Sequence, residues 1–375
     1  MFSRIRGFLS RHRRKFIIGS VVVSGAIFLT RYTQRKLREW QENEIRALLE
    51  RTKKQQYYEN MLKTCNQMIL SLVATLRNSV IEENDSEFII NQLKDGSVDK
   101  ISAWNQLKVL AITRSAVIIY SYTMLVTFLR IQLSLISGHM YKGAQNVDNE
   151  SIENEIQRKY MALSSYFIYE GIINLNSFVK SKVAEATAAV SLTERLTLRD
   201  LEQIYWAIAS SVSADGSGDP IKNCTHYMLQ KNGNDEEKIA YSKLIDQLLD
   251  MLESEEVQDL MQKNVRSGFV LLMDHISTYF NDSSQSDNGC TTRNGMLQSS
   301  VENSLVATDT GSTEFVNINK TSIALARIIP IVNKQIPDNP THTDAAAGWL
   351  QYLVLNNELK TLGANIYEAV SYVHN

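Results

Sequence analysis

Apolar positions recur at three- and four-residue steps along most of this chain, which is the signature of amphipathic helices. Tyr58, Met61, Leu62, Cys65, Met68, Ile69, Leu72, Val73, Leu76 and Val80 form one such stripe, with polar residues between them. It predicts the core-facing side of a helix that runs almost to Glu82, whereas the more charged stretch from Arg35 to Gln56 predicts a solvated stem before it. Asp85 or Ser86 is placed to cap a short helix through about Lys94, and Asp95-Gly96 supplies the turn that ends it. Asp99 then caps a long helix to Met140, interrupted only by Gly138. Lys142 to Asn149 reads as a loop, and helices resume to about Ser213. Ala214 to Glu237 is turn-rich; helices are expected near 238–254, 256–280, 345–356 and 357–372, with Pro330 and Pro337 as punctuation.

Two uncharged runs of 15 residues stand out. The first, Phe16 to Thr30, is bracketed by Arg14 and Lys15 before and Arg31 after. As a helix it spans roughly 22 Å, short of a hydrocarbon core of roughly 30 Å, and snorkelling Lys and Arg with Tyr32 at the interface close much of the gap. A cleaved secretory or twin-arginine signal is the competing reading, since Ser24, Gly25 and Ala26 mimic a cleavage site. They sit inside the apolar run, however, and a basic flank of Arg31, Arg35, Lys36 and Arg38 follows. An anchor is the expectation, with both flanks too basic to set its orientation. The second run, Ser115 to Leu129, lies between the single charges Arg114 and Arg130 and predicts a buried core helix, with a second membrane contact as the alternative.

Composition narrows the class. Four Pro and 16 Gly among 375 residues favour long uninterrupted helices over a turn-rich β architecture. The expected fold is an all-α, long-helix bundle with a short N-terminal transmembrane anchor: a basic tail over 1–15, the anchor over 16–33, and a helical domain over 34–375. A polar stretch from Asn281 to Thr313 reads as a flexible insertion in that domain. A balance of 39 basic and 41 acidic residues removes the global field of a nucleic-acid binder. Cys65, Cys224 and Cys290 lack paired spacing, which excludes a disulfide scaffold and a structural zinc site. N-x-S/T tripeptides, among them those at Asn149, Asn223, Asn281 and Asn319, are expected to be unused.

Signatures of phosphate cradling, dinucleotide binding, zinc proteolysis and the hydrolase elbow are missing, so no catalytic residue, metal ligand or cofactor is expected. Asp215-Gly216-Ser217-Gly218-Asp219 mimics half of a calcium loop, but Pro220 and His226 stand where the motif needs Gly and Glu. The six His residues form no ligand cluster. Trp104 is the one aromatic with two readings: a core side chain, or the rim of an apolar groove flanked by Lys100 and Lys108.

Several separated blocks resemble one family, peroxin-3, the peroxisomal membrane biogenesis factors. They are Phe8-Leu9-Ser10-Arg11-His12-Arg13-Arg14-Lys15, Thr64-Cys65-Asn66, Thr113-Arg114-Ser115-Ala116-Val117 and Leu129-Arg130-Ile131-Gln132-Leu133. Asp250-Met251-Leu252-Glu253-Ser254, Ile328-Ile329-Pro330-Ile331-Val332-Asn333 and Ala364-Asn365-Ile366-Tyr367-Glu368-Ala369 follow in the family's order. The resemblance, taken as that of a fungal member, implies a single-pass protein of the peroxisomal membrane with the bulk of the chain in the cytosol. It implies a docking receptor for peroxin-19, the soluble carrier of newly made peroxisomal membrane proteins, whose amphipathic N-terminal helix is gripped in an apolar groove. Positions matching the groove are Leu93, Lys94, Lys100, Trp104, Leu107, Lys108, Ser134 and Gly138, with Ser134 departing from an Asn in some relatives. Membrane lipids and, in fungal relatives, inheritance and organelle-degradation adaptors are further implied partners; nucleic acid is not. The rival from another class is a membrane-tethered lipid-binding or lipid-modifying helical protein, since an apolar bundle can enclose a lipid cavity.

Overall fold

The computed structural model describes residues 13–145, 154–229, 239–287 and 321–372. They divide into two compact units, Met1–Asn60 and Met61–Asn375. The described part of the first unit is helical throughout, belonging to α1 (Arg13–Glu83). From Ser24 to Asn60 nearly every residue is exposed, Ile27, Phe28, Leu37, Trp40, Ile45, Leu48 and Leu49 included.

The second unit is built around α3 (Lys100–Gln145), which begins where Asp99 accepts from the Ser102 amide at 3.0 Å. Every residue from Leu110 to Gly138 is buried. A helix apolar on all sides is stable only when enclosed, and among the described residues the helices around α3 include α2 (Ser86–Asp95), α6 (Ile172–Thr187), α9 (Ile239–Glu253), α10 (Glu255–Asp287), α11 (Leu325–Asn333), α12 (Ala345–Leu355) and α13 (Asn357–Ser371). Some polar residues inside α3 are satisfied locally or by neighbours: Thr123 Oγ1 donates to Ile119 O at 2.7 Å, and Ser115 shares a 2.7 Å hydrogen bond with Tyr205, whereas the hydroxyls of Thr113 and Thr127 are buried without a partner. Short helices α4 (Asn154–Met161) and α5 (Ser164–Tyr166) lead into a π-helical turn, Phe167–Gly171, before α6. Helices α7 (Leu198–Ala214) and α8 (Cys224–Met228) complete the unit.

Buried arginines tie these layers together. Arg77 of α1 pairs with Asp344 at 3.1 Å and donates to Pro337 O at 2.7 Å. Arg114 reaches Asn84 O, Ile336 O and Asp338, and Arg130 donates to Asn66 Oδ1 at 2.7 Å and Val354 O at 3.2 Å. Truncating one member of such a buried pair costs about 3–5 kcal/mol, because the survivor keeps an uncompensated charge.

The all-α expectation holds, with one addition. A two-stranded antiparallel ribbon pairs β1 (Arg195–Thr197) with β2 (Ser322–Ala324), Leu196 opposite Ile323. Three-residue strands are too short to show an alternating pattern, and none was expected. Helix ends also shift. α3 continues through 142–145, since Lys142 and the residues after it include no breaker that must stop a helix, and 146–149 lie outside the described residues. α10 runs to Asp287, seven residues into the polar stretch; residues 288–313 of the expected insertion lie outside the described residues. Pro330 falls inside α11, at its sixth residue. The α12–α13 junction matches expectation, with Asp344 capping Ala347 N and Asn356 capping Glu358 N and Leu359 N.

Among the described residues one helix is long and apolar enough to cross a membrane, Lys100–Ala144, and 94% of its most apolar window is buried in the protein. The Ser115 to Leu129 run is therefore core.

Candidate docking site

Two caps create the corner that holds half of the expected site. Asp85 accepts from the amides of Glu87 (2.9 Å) and Phe88 (3.3 Å), fixing the start of α2. Gly96, in the left-handed region at φ 67°, ends it, and its amide returns to Gln92 O. A side chain at Gly96 would meet open space but the wrong backbone, so here glycine serves conformation. Four residues later α3 starts, and the two helices pack on each other. Leu93 and Trp104 are half-buried, Lys94 and Lys100 exposed. Phe88 and Ile101, not singled out from the sequence, are 61% and 67% exposed. Both helices thus carry apolar side chains with accessible surface at the α2–α3 corner, together with two exposed lysines.

The remaining positions are placed otherwise. Leu107 is buried about two turns inside α3. Lys108 is buried too, its ammonium donating to Thr187 O (2.8 Å) and Val190 O (3.0 Å). Those carbonyls belong to the last residue of α6 and the turn after it, so the lysine caps a helix C-terminus, where the dipole favours a cation. Burial lowers its pKa. It does not flank a groove, and the expected pairing of Lys100 with Lys108 around Trp104 is corrected.

Ser134 and Gly138 depart further. At 1.5 Å per residue Ser134 lies about 45 Å along α3 from Trp104. Ser134 is 1% exposed. A Cβ at Gly138 would come 2.8 Å from Val370 Cβ and 3.3 Å from Tyr367 O, so glycine there permits the crossing of α3 and α13. One groove cannot include both these residues and Trp104.

The calcium-loop mimic is a closed turn: Asp215 accepts from Ser217 N, Ser217 Oγ and Gly218 N and pairs with Lys182 at 3.0 Å, which holds its carboxyl down at about 2. Among the described residues no group of three or more His, Cys, Asp or Glu could hold a metal ion. Cys65 and Cys224 are buried free thiols, pushed up to about 11 and about 12 by desolvation, the opposite of reactive thiolates.

One feature escaped sequence reasoning. A cavity of about 1200 Å³ opens beside the π-helical turn, lined by Tyr166, Tyr169, Leu229, Ile245, Leu249 and Lys222 among others. The turn packs so closely on α8 that a Cβ at Gly171 would fall 2.0 Å from Tyr227 O. A π turn breaks the 3.6-residue period by one residue, and no composition signal marks it.

With the geometry in hand, the family profile of Peroxin-3 matches residues 7–103 and 137–369. The chain belongs to the Peroxin-3 family. It is 29% identical over 399 residues to the peroxisomal biogenesis factor 3 of Homo sapiens and 30% identical over 393 residues to that of Rattus norvegicus, each alignment covering 99% of this chain and 98% of the relative. The peroxisome biogenesis protein 3-1 of Arabidopsis thaliana is 24% identical over 57% of the chain and 65% of its own length. A fungal relative, from Debaryomyces hansenii, is 20% identical over 57% of the chain. Of the candidate positions, Leu93, Lys94, Lys100 and Gly138 fall inside the profile's segments, while Trp104, Leu107, Lys108 and Ser134 fall in the gap between them.

Proposed function

We propose that this Peroxin-3 family member is a peroxisomal membrane protein of peroxisome biogenesis that acts as the docking receptor for the peroxin-19 carrier. It works by recognition without bond making: an amphipathic helix of the carrier lays its apolar face on the α2–α3 corner, leaving the cargo to enter the bilayer. The observation that carries this reading is Trp104, half-buried one helical turn from the exposed Ile101, on a corner that also carries exposed Lys94 and Lys100. A large aromatic already fixed by packing on one face presents a rigid anchor at small entropic cost. The lysines call for acidic residues flanking the partner's apolar stripe. In this reading the Phe16 to Thr30 run spans the membrane once and the helical unit faces the cytosol.

The cavity beside the π-helical turn favours a second reading, a lipid-holding helical protein, since its volume suits a ligand with a long apolar chain. Purified full-length chain in detergent distinguishes them. Retention of peroxin-19, lost with Lys94→Glu and Lys100→Glu together, supports docking; stoichiometric co-purifying lipid with no carrier binding supports the rival.

A further inference from the structure

Helix α2 is held by its first turn. Of its 10 residues only Ser86 and Ile89 are buried, and Leu93 and Lys94 lie beyond both. Its direction is set at the linker Asn84-Asp85 between α1 and α2, which is gripped, together with Ser86, from α3, α6 and α11. Asn84 is buried, and its Nδ2 donates to Asn176 Oδ1 of α6 at 2.7 Å. Its carbonyl accepts from Arg114 Nη2 of α3 at 2.8 Å, and Ser86 Oγ accepts from Asn333 Nδ2 of α11 at 3.2 Å. Arg114 is itself buried and needs a countercharge. Asp338 supplies it at 2.9 Å, and Ile336 O accepts a further bond from the same guanidinium at 3.2 Å. The carboxylate stands between Pro337 and Pro340, whose rings fix φ, and Pro337 O is held in turn by Arg77.

We propose that Asp338 is a positioning residue of the docking corner: through Arg114 it holds the linker, and so sets the angle at which α2 presents Leu93 and Lys94. The inference rests on the docking reading of that corner. Arg114 Nε has no hydrogen-bond partner, so the guanidinium is held by two neutral carbonyls and one carboxylate. Without the carboxylate the buried cation keeps only the carbonyls, and its desolvation is uncompensated. Asp338 also marks the way out, since its own side chain is 41% exposed. Once it is gone, Arg114 can turn toward water there, and Asn84 O then loses its donor. Leu93 stands about 10 Å along the helix from Ser86, so a tilt of about 10° at the linker carries it by about 2 Å. Packed atoms forfeit a quarter to a half of their dispersion attraction over a gap of only about 0.5–1 Å. A partner helix seated across α2 and α3 would therefore lose its fit to one of them. Enclosure fixes α3, which leaves α2 as the wall whose position the linker decides.

The test reads amide hydrogen exchange and peroxin-19 affinity on the same full-length chain in detergent, for wild type, Asp338→Ala and Ser86→Ala. Asp338→Ala is expected to speed exchange over 87–96 at least fivefold more than over 110–138, and to weaken peroxin-19 binding about tenfold. Ser86→Ala removes the hydroxyl that Asn333 grips and strands no charge, so its folding is not in question. It should shift both readouts the same way, by about threefold. Exchange that rises equally over 87–96 and 110–138 in Asp338→Ala overturns the proposal, because the pair then merely fastens the fold. So does unchanged exchange over 87–96, or unchanged affinity in both variants despite faster local exchange. Wild-type chain that fails to bind peroxin-19 refutes the docking reading instead, and the exchange pattern still decides whether Asp338 sets α2.

Discussion

Replacing Trp104 by alanine separates docking from folding because the side chain is half-buried in the free protein. A Trp that becomes fully buried removes about 150–250 Å² from water, and with no more than about a third of the side chain still exposed, roughly 50–80 Å² remains for a partner to cover. At about 25 cal/mol per Å² that area corresponds to about 1–2 kcal/mol, a loss of about 5- to 30-fold in affinity for the peroxin-19 N-terminal helix. The larger part already buried contributes about 2.5–4 kcal/mol to stability, lowering the melting midpoint by several degrees in a unit of this size. Calorimetric titration and thermal melting of the same full-length preparation in detergent read both quantities. Trp104→Phe, which retains a ring, should recover a good part of each. If the alanine variant melts several degrees lower yet binds as before, the α2–α3 corner is not the site. If it instead loses about 5 kcal/mol or more of stability, the upper end for a fully buried Trp, the partial exposure on which the argument rests is wrong.

Lys108→Met should leave two helix-end carbonyls without their donor and cost about 1–3 kcal/mol of stability while leaving affinity unchanged; a weakened complex at unchanged stability would return Lys108 to the groove. Gly138→Val should destabilise through the α3–α13 crossing, by about 1–3 kcal/mol as overpacking does, and Val370→Ala should relieve part of that loss; full stability in the single variant would contradict the close approach. Alkaline titration should unfold the chain through its buried tyrosines and thiols. Tyr122 is pushed up to about 12 and Cys65 to about 11 by burial, against ordinary values of 10.0 and 9.0. Raised folded values mean that stability is intact below the unfolded values and is lost as pH rises through the folded ones, at up to about 1.4 kcal/mol per pH unit for each group. Chemical denaturation between pH 8 and 12 should therefore show a flat midpoint to about pH 9 and a steep fall after it; a midpoint unchanged at pH 11 would refute this.

Legibility in the sequence tracked how local the deciding interactions are. Asp85, Asp99 and the Asp95-Gly96 turn act within one turn of chain, and the helix ends they set were readable to a residue or two, whereas the far end of α3, with no such cap, lies five residues beyond expectation. The buried run from Ser115 to Leu129 was readable because hydropathy on every face demands enclosure. Lys108 was not, because what buries it is a pair of carbonyls 79 and 82 positions away. Gly138 looked like part of the groove when only its position in the family pattern was considered, and its real neighbour, Val370, belongs to the last helix. The π turn and the ribbon are set by packing between distant segments, and three-residue strands carry no period to detect.

The enclosure of α3 also sets an order of events during synthesis. Helix α13, one of its main covers, begins roughly 210 residues after α3 ends, and at roughly 5–20 residues per second that is a wait of about 10–40 s on the ribosome. Throughout that interval the chain displays a helix as apolar as a membrane span. Arg114 and Arg130, bracketing its uncharged run, each oppose translocon-type insertion by about 2.5–3.5 kcal/mol at a span's centre, less toward its ends. Removing both, as Leu, should raise the fraction of nascent chains that enter the endoplasmic reticulum membrane by the wrong helix. Residues that fasten the finished fold thus also keep the unfinished one out of lipid.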